Sequence, residues 1–448
     1  MANKLFGNSS NSKFSNTRKR EVAAEKPSPS GKAKRRSPLK PLKVILIVVL
    51  VLEILYCIAI FSNIPFIVSL RNMYIETAMS TMNNQWLATA LIPKDIVDEV
   101  VARRDQARAD QMGVNSTWDD VTKPTNPPET SAPTVETTAP TEETEPPISQ
   151  EQIDFFELYW ELDQETMLAY VEDHPEVLEN GWDEIYINEA GLEDDGTSIY
   201  TTMGEQVLAI DAKNKLLLVR VTGSALSLTT YRGVLAIGKD PSLLRLGMSK
   251  GAGSYGQHAG DIAERNNAII AITASGFQDD GGSGNGGAIA GYCMSEGEAH
   301  YGRPFGWGYK RVELHEDDRL YITDTTGRFD DDVTDAAEFW PALIIDGESA
   351  LGSGHIFTEM NPRSCIGQSS REEILLLVIE GRLLSSAGCD ADECVEIFLR
   401  HDGYQAMNMD GGTSAIMWYD GEYITRCSNT ALDEGRYLPN AWVYGTSE

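Results

Sequence analysis

Residues Val44 to Leu70 read VILIVVLVLEILYCIAIFSNIPFIVSL, and no other stretch so narrows what the chain can become. A helix rises about 1.5 Å per residue, so a run of this length can cross a hydrocarbon core of roughly 30 Å. The first 43 residues carry twelve Lys or Arg against only Glu21 and Glu25. Basic flanks stay on the cytoplasmic side, so 1–43 reads as a cytoplasmic tail, 44–70 as a single anchor, and the remainder as extracellular. A cleaved signal peptide fits less well: the charged stretch before the run is long, and no small-x-small site follows it. Glu53 is the single charge within the run. A membrane carboxylate can mark a partner site; the plainer reading is a Glu neutral in the lipid or paired with a neighbouring helix.

The whole chain carries a formal charge of −31, so with +10 in the tail the part after Lys43 holds −41. Such an exterior repels phosphate backbones, which argues against nucleic acid as a partner. The basic tail suits anionic lipid headgroups instead. Cys57 lies in the apolar run and Cys293, Cys365, Cys389, Cys394 and Cys427 lie beyond it. Five cannot all pair within one chain. Cys389 and Cys394 in CDADEC could close a short loop in an oxidising compartment, but spacing alone does not establish the geometry. Without a C-x-x-C or H-x-x-x-H cluster, a zinc site is not expected.

Apolar residues recur at helical intervals over 71–114, as in IPKDIVDEVVARRDQARADQ, which predicts a membrane-proximal helix whose charged face is solvated. Residues 115–148 include TKPTNPPETSAPTVETTAPTEETEPP, where Thr, Pro and Glu leave nothing to bury. That composition predicts a disordered spacer able to reach roughly 80 Å. Folding resumes at Ser149 with a helical pattern that puts Phe155, Phe156, Tyr159, Trp160 and Met167 on one face. Short β-rich runs follow, among them KLLLVRVTG, AIIAITASGF and ILLLVIEG, separated by Gly, Asp and Asn turns. Two helical patterns interrupt them, QHAGDIAERNN and ADECVEIFLRHDG. The expectation for 149–448 is one α+β domain, a twisted and mostly antiparallel sheet with flanking helices.

Two glycine patterns match G-x-G-x-x-G: GAGSYG at Gly251–Gly256 and GSGNGG at Gly282–Gly287. Neither follows a convincing strand and opens a convincing helix, so a dinucleotide site is not indicated. Three other segments place reactive side chains beside glycines at the ends of β-like runs, where sites are built. They are ITASGFQDDGGSGNGG, NPRSCIGQ, and the pair VIEGR and NMDGGTSA.

In order and wording these segments resemble the phosphodiester glycosidase family, the N-acetylglucosamine-1-phosphodiester alpha-N-acetylglucosaminidase-like domain, and most closely its bacterial membrane-anchored members. The resemblance runs from about 262 to 445. NMDGGTS keeps the family's N-L-D-G-G-x-S with Met409 for Leu, RSCIG keeps Arg363 and Gly367 of R-T-A-I-G, and EGR stands for an acidic-Gly-Arg motif. In TASGF, Thr273 replaces an Asn, either a substrate contact or part of a turn.

The resemblance implies hydrolysis of a sugar-1-phosphodiester, with a sugar phosphate or wall glycan as substrate. Arg363 would hold phosphate oxygens with its planar fork. Asp410 would stabilise oxocarbenium character, attack C1 or activate water, and Glu380 would be the second carboxylate. Ser275, Gly276, Asp279, Gly411, Gly412, Thr413 and Ser414 would contact substrate, the glycines through bare N–H groups. No cofactor is implied; a divalent cation is possible but no motif indicates one, and FDDDVTD lacks calcium-loop spacing. Trp307, Tyr309, Trp418 and Tyr419 are candidates for stacking on sugar, with core or rim packing as the default. His258 and His300 read as isolated structural or surface histidines. The rival function is a non-hydrolytic binder of phosphorylated glycans in envelope assembly.

Overall fold

A computed structural model describes residues 39–79, 85–119, 121, 149–193, 196–225, 229–279, 284–305, 307–352 and 358–446. The expected tail up to residue 38 and the Thr/Pro/Glu-rich stretch 122–148 lie outside the described residues. Two compact bodies divide after Ile58.

The described part of the first body, from Leu39, is helical. Helix α1 (Leu39–Phe61) contains a segment, Leu42–Phe61, long and apolar enough to cross a membrane. Its large apolar side chains from Val44 to Tyr56 stand exposed. The apolar run does not continue as one helix to Leu70, because residues 62–64 break it before Pro65.

The second body begins with α2 (Pro65–Met79), α3 (Gln85–Leu91) and α4 (Lys94–Gln111). The single helix expected over 71–114 is thus divided. Proline lacks an N–H and is tolerated at a helix start, and Pro93 accordingly forms the N-cap of α4. Ile75, Ala78, Ala88, Val97 and Val100 pack α2, α3 and α4 together.

These helices are sewn onto the domain that follows. The buried Gln111 side chain donates to the carbonyls of Ala342 (2.9 Å) and Ala350 (3.0 Å) and accepts from the Ala342 N–H. Lys310 Nζ donates to the Val114 carbonyl at 2.6 Å. Ser116 N–H bonds the Ile322 carbonyl at 3.0 Å, and the buried Trp118 indole donates to that of Leu320 at 2.8 Å. The start of the expected spacer is therefore docked. Residues on both sides of 122–148 belong to one body.

Helices α5 (Gln150–Leu158) and α6 (Gln164–Asp173) are capped by Ser149 and Asp163 side chains. They bury Phe155, Tyr159 and Met167 against Trp182 and the main sheet. Helix α7 (Ala259–Arg265) follows the first glycine pattern. Helix α8 (Ala391–Arg400) is capped by Asp390 and places Ile397 and Phe398 in the core.

Among the described residues three sheets stand where one was expected. The largest has nine strands, in the order Tyr186–Asn188, Gln206–Asp211, Leu216–Ala225, Thr229–Gly238, Ile374–Ile379, Arg363–Ser369, Gly403–Asn408, Ala342–Ile345 and Glu348–Ser349. Two five-stranded sheets join it, and every pairing between strands is antiparallel. Alternation explains why ILLLVI lacks a polar face. Leu375, Leu377 and Ile379 enter the core shared with α5, α6 and α8, while Ile374, Leu376 and Val378 enter the core shared with the smaller sheets. A polar residue at any of these positions would cost about 2 kcal/mol or more.

Candidate active site

Strand Arg363–Ser369 runs antiparallel to both neighbours, with Arg363 opposite Ile379 and Cys365 opposite Asn408. The start of the middle strand therefore shares one sheet edge with the ends of the flanking two. Antiparallel pairing alone thus brings Asn361–Arg363 next to the loops after Ile379 and Asn408. Strand Ile270–Thr273 adds its own loop to this edge: Asp410 N–H bonds the Ala274 carbonyl at 3.1 Å, and the Thr273 hydroxyl donates to the Ser414 carbonyl. The Thr273 carbonyl in turn accepts from Ser364 Oγ at 2.8 Å. At this position Thr is an internal anchor of the turn.

A cavity of about 720 Å³ opens where these loops meet. Of the residues expected to form the site, Arg363, Asp410, Asp279, Gly411, Gly412, Thr413 and Ser414 line it. Glu380, Ser275 and Gly276 do not. Glu380 is buried with one carboxylate oxygen on Arg232 Nε at 2.9 Å and the other on the Arg426 N–H at 2.8 Å. Ser275 is fully buried, its N–H and hydroxyl both bonded to the Asn440 side chain. An added Cβ at Gly276 would lie 3.1 Å from the Phe339 ring.

The glycines serve chain packing. A Cβ on Gly411 would approach the Pro362 carbonyl to 2.7 Å, and one on Gly381 would approach the Pro362 nitrogen to 2.7 Å. Gly412 has φ +62° and gives its N–H to the Pro362 carbonyl at 3.0 Å, so that donor is already committed.

Residues 266–444 match the phosphodiester glycosidase family model. This segment is a phosphodiester glycosidase domain. The SPbeta prophage-derived uncharacterized protein YomE of Bacillus subtilis (strain 168) is 23% identical over 178 residues, 38% of this chain and 27% of that protein. The chain thus spans about a quarter of the length of this curated relative. Among solved structures, the zebrafish N-acetylglucosamine-1-phosphodiester alpha-N-acetylglucosaminidase catalytic domain auto-inhibited by pro-peptide is similar at 14% identity and a TM-score of 0.42, over 51% of this chain and 82% of that one. A hypothetical protein from Synechocystis is similar at 14% identity and a TM-score of 0.36, over 52% and 62% of the two chains.

The cavity of the phosphodiester glycosidase domain is rich in guanidinium groups although the chain is acidic. Arg363, Arg382, Arg436, Arg104 and Arg108 line it. Its carboxyls are Asp279, Asp410, Glu359 and Glu76. Arg104, Arg108 and Glu76 come from α4 and α2, outside the matched residues.

The two aspartates have opposite environments. Burial raises the Asp410 carboxyl to about 6, against the Ser414 hydrogen bond and the Arg436 charge, with nearby Asp279 adding to the rise. Asp279 is held below the usual carboxylate range by its bond to Arg436, and its other oxygen accepts the Gly284 N–H at 2.6 Å. Environments that push two acids apart are a mark of acid–base sites. Glu76 rises to about 8 through burial and then through the Glu359 charge, although Thr358 gives it two hydrogen bonds.

The arginines differ in how much of each fork is already used. Arg363 donates to the Glu359 carbonyl (2.7 Å) and the Cys389 carbonyl (3.2 Å), and faces the Glu359 carboxylate at 3.6 Å. Arg382 gives one bond, to Asn361 Oδ1 at 2.7 Å, and makes no ion pair among the described residues. Its backbone sits at φ +58°, in the loop that follows strand Ile374–Ile379. An added Cβ at Gly412 would lie 3.4 Å from the Arg382 guanidinium, so this arginine stands over the Asp-Gly-Gly turn.

Tyr309 lines the cavity as a candidate sugar platform, with Trp340, Phe277 and Phe339. Trp418 and Tyr419 are core residues, and Trp307 is exposed away from the cavity lining. His258 caps α7 and His300 lies in the strand Glu298–Tyr301. Among the described residues no three His, Cys, Asp or Glu side chains group as metal ligands. Cys389 and Cys394 are buried with sulfurs 3.5 Å apart and no S–S bond.

In EGR the acid, Glu380, is the more conspicuous candidate, and nothing in the three letters marks Arg382 as the residue that faces the cavity. Arg436 follows an acidic turn, DEGRY, that looks solvated, and the α4 arginines look like an ordinary charged helix face.

Proposed function

We propose that the chain hydrolyses a sugar-1-phosphodiester in an extracellular or cell-wall glycan, with α1 as its membrane anchor and the glycosidase domain outside the cell. The observation that carries this reading is the meeting of Asp410 with Arg363 and Arg382 in one cavity of a phosphodiester glycosidase domain. A phosphodiester has an anion on one side of the scissile C1–O bond and a hydroxyl-rich ring on the other, and the cavity holds guanidinium groups for the first and aromatic rings for the second.

The phosphate already leaves as a stabilised anion, so the demand on a general acid is small and the demand on cations is large. Arg382, with most of its fork uncommitted, takes phosphate oxygens, and Arg363 adds positive charge from behind. Ionised Asp410 accepts a proton from water as the water oxygen bonds C1. The electrons of the C1–O bond pass to the departing phosphate monoester. Asp279 stays ionised, holds Arg436 and favours the positive charge that develops on the sugar.

The test is the full-length protein in detergent with a synthetic glycosyl phosphodiester. Release of free reducing sugar that Asp410→Asn abolishes supports hydrolysis. Tight binding without turnover at any pH points instead to a glycan binder.

A further inference from the structure

The matched domain accounts for three of the five cavity arginines, and α4 supplies the other two. Their placement follows from helix geometry. Residues 104, 108 and 111 fall on one helix face, and Gln111 is pinned to the Ala342 and Ala350 backbone, so the same face turns Arg104 and Arg108 to the cavity.

Arg108 makes no ion pair among the described residues. Its guanidinium carbon lies 3.6 Å from the centre of the Trp340 ring, and its Nε is buried with no hydrogen-bond partner. Arg104 lies 4.0 Å from Asp105 and interacts with the charge of Glu76, and its Nε is likewise buried without a hydrogen-bond partner among the described residues. Burying a guanidinium without full hydrogen bonding is costly unless a ligand completes it.

The charge count exceeds what one phosphodiester requires. Five guanidinium groups line the cavity against Asp279, Glu359 and ionised Asp410, and with Glu76 pushed up to about 8 two positive charges remain in excess around a substrate that brings a single negative charge at its scissile link. Three of the arginines divide between the matched and unmatched parts of the lining: Arg382 stands at the Asp-Gly-Gly turn, and Arg104 lies one helical turn before Arg108 on α4.

We infer that α4 forms a second anion subsite, in which Arg104 and Arg108 bind a further phosphoryl group on the leaving side of the substrate. This rests on the hydrolytic reading above and narrows its substrate class to glycosyl phosphodiesters with at least two phosphoryl groups. The second group is supplied either by a diphosphate linkage or by the next phosphodiester of a polymer.

The experiment has a binding arm and a kinetic arm, both on the full-length protein in detergent. In calorimetry, pyrophosphate binds the wild type at least about tenfold tighter than inorganic phosphate, and R104Q/R108Q erases that preference. Equal affinities in the wild type, or a preference that survives the double variant, overturn the inference without any need for turnover. In kinetics, kcat/KM is compared for a glycosyl monophosphodiester, a glycosyl diphosphate diester and a glycosyl phosphodiester with a second phosphodiester along its chain. A preference of about tenfold or more for one of the latter two supports the subsite and tells the two sources apart. Turnover of all three at one rate removes the subsite and leaves the hydrolytic reading standing. Turnover of none removes the hydrolytic reading, and the calorimetry still decides the subsite.

Discussion

Glu380 and Asp410 each follow the last residue or two of a strand flanking Arg363–Ser369, yet their carboxyls have opposite fates. Glu380 is satisfied on both oxygens by Arg232 and the Arg426 N–H. Asp410 lines the cavity, and burial lifts it to about 6. Position at a sheet edge is therefore not enough to make an acid reactive. A carboxylate closed off by a guanidinium and an N–H holds loops together, whereas one left with a single Ser414 hydrogen bond keeps capacity for chemistry.

Substitutions at the two positions and around them sharpen this contrast. Asp410→Asn should lower sugar release by about 10²–10⁴-fold while circular dichroism shows the fold retained. Arg382→Gln comes next, with kcat/KM down by about 10²–10³-fold as the phosphate loses its least committed fork. Asp279→Asn frees Arg436 and should cost about ten- to a hundredfold through misplaced charge. Glu380→Gln should leave kcat within about threefold but lower the melting temperature, because Arg232 loses its buried partner at a cost of about 1–3 kcal/mol. A Glu380→Gln enzyme as slow as Asp410→Asn would erase the distinction between the two acids.

Stability gives the same contrast with its own sign. The Asp410 pKa is raised in the folded state, so its contribution to stability is present at low pH and is lost as pH rises through about 6. Asp410→Asn should therefore melt higher than the wild type above that pH, by differential scanning calorimetry, even as it loses activity. That combination marks a residue kept for function.

Much of the site was legible because sheet-edge loops carry unusual residue pairs. NPR, EGR and NMDGGTS could be read as one constellation before any fold was known, and they do share a cavity. Which residue of EGR faces that cavity was not legible. It depends on Gly381 passing against Pro362 and on the positive φ of Arg382, neither of which has a signature in a single motif. The antiparallel α+β class followed from short apolar runs between turns, but partition into three sheets depends on pairings such as that of Ile270–Thr273 with Asn440–Tyr444, far apart in sequence. The role of α4 was the least visible. Its arginines have the spacing of a solvated face, and only the docking of Gln111 on residues more than 200 positions later turns that face inward.

The central claim is that ionised Asp410 does the chemistry in a cation-lined cavity. The most direct measurement is kcat/KM for reducing-sugar release between about pH 4.5 and 8, in the wild type and in Asp410→Asn. The account predicts a wild-type rate that rises through a midpoint at about 6 and then levels, and a variant with no such limb and little activity at any pH. A variant that reproduces the wild-type profile and rate would contradict it.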